Sequence, residues 1–184
     1  MTKVLGSKRI FSDASDELCM EFLRDVCDIP SIPEYQQLKH FVHHRYTTRY
    51  QHCLNVSWYS FLMAKKAGLD ARSCARGAML HDFYLYESGC KNLPLSGRHA
   101  EVHPKIALLN AKKYFAVNPV EEDCILHHMW PSAKGKPTTK EGIIVTIADK
   151  YAASLEWGSH QVIALPKSVM HAICTSLSLV KNKR

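Results

Sequence analysis

Seven imidazole and carboxylate side chains enter this chain about once per helix length: His52, the pair His81-Asp82, His103, the tandem His127-His128, and Asp149. The gaps of 29, 21, 24 and 21 residues each hold one helix and one connection. A chain spaced in this way can bring one such side chain from each helix to a single point inside a bundle. Asp149 follows the run Ile143-Ile144-Val145-Thr146-Ile147-Ala148, so it is expected to be buried, and a buried carboxylate must be paired, protonated or metal-bound. Taken alone, a buried arginine or a backbone cap accounts for Asp149 equally well. His52 shares a helical face with Val56, Tyr59 and Met63, where a lone histidine is ordinarily a hydrogen-bonded core residue. Taken together the residues say more, because unrelated core histidines have no reason to recur once per helix beside two buried carboxylates. Neutral imidazole and carboxylate suit divalent metals, with iron, manganese, cobalt, nickel, zinc and magnesium all open as identities.

The rest of the chain supports a helical frame. Ser12-Asp13 and Ser15-Asp16 offer caps for a helix to about residue 28, which Ile29-Pro30 and Ile32-Pro33 end. Helical spacing runs from about 49 to 66, with Gly68 as its C-terminal cap, and from 71 to 81, with Asp70 as its N-cap. Further helices are predicted at about 103–115, 119–129, 140–156 and 167–180. Pro119 followed by Glu121, Glu122 and Asp123 marks a helix start. Residues 83–100 and 131–140 are expected to be irregular loops. No period-2 strand pattern stands out; Ile143–Ala148 could pass as a strand, but its continuation favours a helix. The expected fold class is therefore all-α, a single helical-bundle domain over 1–184.

Composition narrows the function classes. The 46% hydrophobic and 22% charged fractions are ordinary for a soluble globular protein, and no apolar run is long enough to span a bilayer. The first eleven residues lack an apolar segment of signal-peptide type, so a cytoplasmic protein with no membrane partner is expected. The seven cysteines include no CxxC pair, which points to reduced, mostly buried thiols rather than a thiolate metal site. The net charge of +7 is partly terminal, without the aromatic-interleaved basic stripe of a nucleic-acid binder. The remaining positive field suits steering of a small phosphorylated substrate. Nothing in the sequence speaks to oligomeric state.

The order His52, His81-Asp82, Asp149 resembles the H…HD…D pattern of the HD superfamily of metal-dependent phosphohydrolases, over roughly residues 45–155. The resemblance implies a helical bundle whose centre holds one or two divalent metals that activate water against a phosphate ester. His103 and His127-His128 resemble the additional ligands of the dinuclear branch. By that resemblance His52, His81, Asp82 and Asp149 hold one ion. Asp82, His103 and one or both of His127 and His128 hold the second, with Asp82 as the bridge. The HD-GYP branch is disfavoured: its lysine three residues after the HD aspartate is Leu85 here, and His127-His128 leads into Met129-Trp130-Pro131 without a GYP element. The implied substrate is therefore a nucleotide or another small phosphorylated molecule. Small stand-alone HD hydrolases of bacterial type are the most similar group.

Arg49, one turn before His52, and Lys150, beside Asp149, are candidate substrate-binding cations. Arg98, Lys105, Lys134 and Lys136 in or near the two loops could line the mouth, but plain solvent exposure is the stronger expectation. His40, His43 and His44, in a polar connection next to Arg45, could bind phosphate or stray metal, but surface residence is the expectation; His99, His160 and His171 have no identified partner. Two other functions remain open on the same ligands: an HD-fold di-iron oxygenase, and a non-catalytic sensory module that binds metal or nucleotide.

Overall fold

The computed structural model describes residues 4–7, 16–43, 47–90 and 95–157. It is all-α, with seven α-helices among these residues and one antiparallel ladder of two-residue strands. Helix α1 (Glu17–Val26) starts where Asp16 accepts from the Cys19 amide, and α2 (Pro33–Gln36) is a single turn opened by proline. Strands β1 (Val42–His43) and β2 (Thr47–Thr48) then lead into α3 (Arg49–Ala67). Thr48 caps α3, and Gly68 ends it in the left-handed conformation (φ 65°) that a side chain would disfavour. Helix α4 (Ala71–Leu80) is capped by Asp70. Helix α5 (His99–Tyr114), α6 (Pro119–His127) and α7 (Lys140–Trp157) follow. Helix α6 opens with a reciprocal capping box between Asn118 and Glu121.

Helix α3 packs on α4 and α7, while α4 also packs on α1 and α6. The core between them includes Trp58 and Phe61 of α3, Phe22 of α1 and Met79 of α4, with Phe22 edge-on to both aromatic rings. Gly77 is what allows α4 and α6 to lie so close, because a Cβ there would come within 2.6 Å of the Cys124 Cβ. That approach holds the C-terminal ends of these two helices together, and both ends carry candidate metal ligands.

The caps expected at Asp70 and Gly68 are in place, and 143–148 is helical within α7. Helix α5 begins four residues earlier than the periodicity predicts, at His99, with Pro104 inside it rather than at its start. The helix at 167–180, the caps at Ser12-Asp13 and Ser15, and His44, His160, His171 and Cys174 lie outside the described residues. The β1–β2 ladder is a strand the sequence pattern does not announce, since two residues are too few for an alternation to register. Among the described cysteines all are free, with Cys19, Cys53, Cys74 and Cys124 buried and Cys27 and Cys90 exposed. No helix among the described residues is long and apolar enough to cross a membrane.

Candidate metal centre

His81 and His128 occupy equivalent places. Each is the C-cap of its helix, α4 or α6. Each ring turns its Nδ1 back to a carbonyl three residues earlier, Ala78 O at 2.6 Å and Ile125 O at 2.8 Å. His103, inside α5, does the same with His99 O at 2.9 Å. A carbonyl only accepts, so Nδ1 carries the proton in all three rings and the neutral imidazole leaves Nε2 as a lone pair. Burial favours the neutral form at His81 and His128; at His128 burial and the neighbouring His81 and His103 lower the value to about 3.

These Nε2 atoms converge. Those of His103 and His128 lie 2.9 Å apart, and neither lone pair can face the other at that distance without a cation between them, a proton or a metal ion. Asp82 sits among them with its oxygens divided. Oδ1 lies 3.2 Å from His103 Nε2 and 3.7 Å from His128 Nε2, while Oδ2 lies 3.8 Å from His81 Nε2. Asp82 Oδ1 and His81 Nε2 are both buried without a hydrogen-bond partner. Burial works against ionisation of Asp82, but the imidazoles of His81 and His103 outweigh it and hold the carboxyl well below the usual range.

His52 reaches the same point from the middle of α3. Its Nε2 lies 3.1 Å from Asp149 Oδ1 on α7, and Asp149 Oδ1 is 3.9 Å from His81 Nε2. Its Nδ1 lies 3.0 Å from Glu156, which also accepts from Asn55 Nδ2 at 2.8 Å. Burial opposes a charge on His52, but hydrogen bonds to Asp149 and Glu156 prevail and raise it to about 10. Burial likewise pushes the Asp149 carboxyl up, and His52 then pulls it far below the ordinary range. In this arrangement the Nε2 proton of His52 stands where a metal ion would serve the same carboxylate.

The fold thus gathers six of the seven expected ligands, five of them lining one cleft and His81 buried behind Asp82 and Asp149, and the donor set fits divalent metal: bare Nε2 atoms, ionised carboxylates, orphaned buried acceptors and no thiolate. Two groups of three come within ligand range of each other, His52-His81-Asp149 and His81-Asp82-His128. The cleft has a volume of about 450 Å³ and is lined by His52, Asp82, His103, His128, Asp149 and Lys150 among others. That size lies in the ~300–1,000 Å³ range of small-molecule pockets.

Two expected site residues go elsewhere. His127 points away from the cleft; its Nδ1 bonds Asp123 at 2.7 Å, and the ring lines a separate cleft with Lys105 and Lys134. Consecutive helical residues diverge by about 100°, and here the bond to Asp123 holds the His127 ring on the far side of α6 from His128. Arg49 is wholly buried and does not line the cleft. It donates to Tyr84 O (2.7 Å), Tyr86 O (3.1 Å) and Ser88 Oγ (3.4 Å), with its guanidinium over the Phe41 and Tyr84 rings. Its role is to pin the segment after the HD pair. Lys150 does line the cleft, with Nζ 3.1 Å from Asp149 Oδ2 and 3.0 Å from His128 O.

Glu156 and His99, near the centre, escape the sequence reading, and His43, expected at the surface, lies there too. Glu156 lies seven residues after Asp149, two turns along the same face of α7, and that spacing was a usable signal. His99 stacks on His103 and bonds weakly to Tyr84 and Tyr86 (3.5 Å each), one turn before a predicted ligand. His43, on β1, had no periodicity to place it.

A family model for the HD domain matches residues 49–154, more than half of the chain. No curated protein matches the chain, and no solved structure matches it.

Proposed function

The chain belongs to the HD-domain family, and on that premise we propose that it is a phosphohydrolase that cleaves a phosphomonoester or phosphodiester bond in a small phosphorylated molecule, such as a nucleotide, with the help of one or two divalent ions. The HD domain is that of a superfamily of metal-dependent phosphohydrolases, and the His and Asp groups of this chain could hold such a metal. The observation that carries the dinuclear form is the divided environment of Asp82. One oxygen faces His103 and His128, the other faces His81, and Oδ1 has no hydrogen-bond donor. A carboxylate so placed can serve two cations at once. His52, His81, Asp149 and Asp82 would hold one ion, and Asp82, His103 and His128 the other.

A bound divalent metal supplies Lewis-acid charge for phosphoryl oxygens and acidifies water at neutral pH. The protein's own groups supply the rest. The carbonyls of Ala78, Ile125 and His99 hold three imidazoles in the tautomer that presents Nε2 to the cleft. Glu156 and Asn55 orient His52 from behind. Lys150, anchored on His128 O and Asp149, places a fixed cation at the cleft wall, where it neutralises phosphate charge and positions the ester. Arg49 holds the Tyr84–Ser88 segment so that Tyr84 forms part of the cleft wall.

The test is phosphate release from a panel of nucleotides and sugar phosphates, with Mn, Co, Ni, Mg and Fe supplied in turn. Metal-dependent release from at least one substrate is the expected result. Two irons per chain with oxygen-dependent turnover and no phosphate release would point to a di-iron oxygenase instead. Ligand binding without turnover under any metal would leave a sensory module.

A further inference from the structure

We propose that His43 is an additional metal ligand, carried to the centre by the β1–β2 hairpin and added to the ion held by His52, His81, Asp82 and Asp149. The inference rests on the metal-site reading above and goes beyond the HD pattern, which begins at His52. Its starting point is the strand β1, both of whose residues line the cleft: Val42 is 63% exposed at the rim, and His43 is partly buried beside the candidate ligands.

The hairpin is firmly attached to the site. Val42 pairs with Thr48 and His43 with Thr47, and the Arg49 amide donates to Phe41 O at 2.9 Å. Thr48 is also the N-cap of α3, so the strand that carries His43 is continuous with the first turn of the helix that carries His52. The two rings lie 4.2 Å apart between centroids, tilted by 36°. His43 Nε2 is 4.0 Å from Asp82 Oδ2, the oxygen on the His81 side. That separation is too long for a hydrogen bond but lies within the reach of two ligands on one ion, at about 2.1 Å each. His43, His52 and Asp82 form a third group whose ligand atoms are mutually close enough for one metal.

Cobalt(II) titration of the metal-free full-length chain tests this, read by visible d–d absorption and by the number of hyperfine-shifted imidazole N–H resonances. Wild type should show one more such resonance than His43→Ala. His43→Ala and His43→Gln should each weaken one cobalt site by about tenfold or more, since removing even an outer partner of a ligand costs about that much. Far-UV circular dichroism should match wild type in both variants. Unchanged resonances, absorption and affinity in both His43 variants, with cobalt lost from His81→Ala, would overturn the role of His43 and leave the metal centre standing. Absence of cobalt binding by wild type would overturn the metal centre itself, and His43 with it.

Discussion

The chain holds two clusters of aspartate and histidine within one bundle, and they differ in how the carboxylate is satisfied. Asp123, on α6, accepts from the backbone amides and hydroxyls of Thr138 and Thr139 at 2.5 to 3.1 Å, and from His127 Nδ1. Every donor is a protein hydrogen, and the result is a knot that joins α6 to the start of α7. Asp82 is just as buried, yet one of its oxygens has no hydrogen-bond donor and its nearest neighbours are imidazole nitrogens. The same two residue types therefore build a structural joint in one place and a candidate cation-binding centre in the other. What separates them is whether nearby protons complete the carboxylate's coordination or leave it for something else.

That contrast can be broken by experiment. The largest effect is expected from Asp82→Ala, which should abolish metal loading while leaving most helix content; metal analysis beside far-UV circular dichroism checks it, and unchanged stoichiometry would refute the assignment. His103→Ala should remove one ion of two, whereas His127→Ala should remove none, because its ring belongs to the Asp123 knot. A wild-type chain that binds only one ion would reduce the centre to its four-ligand form. Glu156→Gln should lower metal affinity by about 10–100-fold, measured by competition with a chelating dye, because it leaves His52 without its orienting carboxylate. Asp123→Ala should do the reverse of Asp82→Ala: metal stoichiometry holds, while stability falls by about 3 kcal/mol in denaturant unfolding as the threonine amides lose a charged acceptor.

The smallest effect concerns acid. Burial alone would raise Asp123, but its bonds to Thr139 and Thr138 lower it to about 2. Its value is thus lower in the folded chain than in the unfolded one, so its stabilisation is complete above the unfolded value of about 4 and fades as pH falls toward 2. In Asp123→Asn the acid limb of the stability curve between those two values should be shallower than in wild type.

Much of the fold was readable in advance because its signals are local. Asp70 and Gly68 punctuate α3 and α4, Pro119 opens α6, and apolar periodicity carries α7 through a run that might have been a strand by composition alone. The start of α5 was misplaced because no capping side chain announces it; Arg98 occupies that position without a cap hydrogen bond. Among site residues, His52, His81, Asp82, His103, His128 and Asp149 could be named from their once-per-helix recurrence. Spacing identifies which residues a bundle can bring together, but not which way each ring points. His127 and Arg49 show the difference: one adjoins His128 and the other lies one turn before His52, and both are engaged elsewhere.

The sequence by itself determined the helical class, the caps and the recurrence of ligand-type side chains, since each depends on neighbours within a few residues. Only the tertiary structure decided that three carbonyls hold His81, His103 and His128 in one tautomer, that Asp82 divides its two oxygens among the rings, and that Glu156 and His43 join the neighbourhood. Those outcomes depend on the rotation of each helix about its axis and on the close approach of α4 and α6 at Gly77. Side-chain direction changes by about 100° per residue, so a small rotation that leaves the apolar pattern satisfied decides which imidazole reaches the centre.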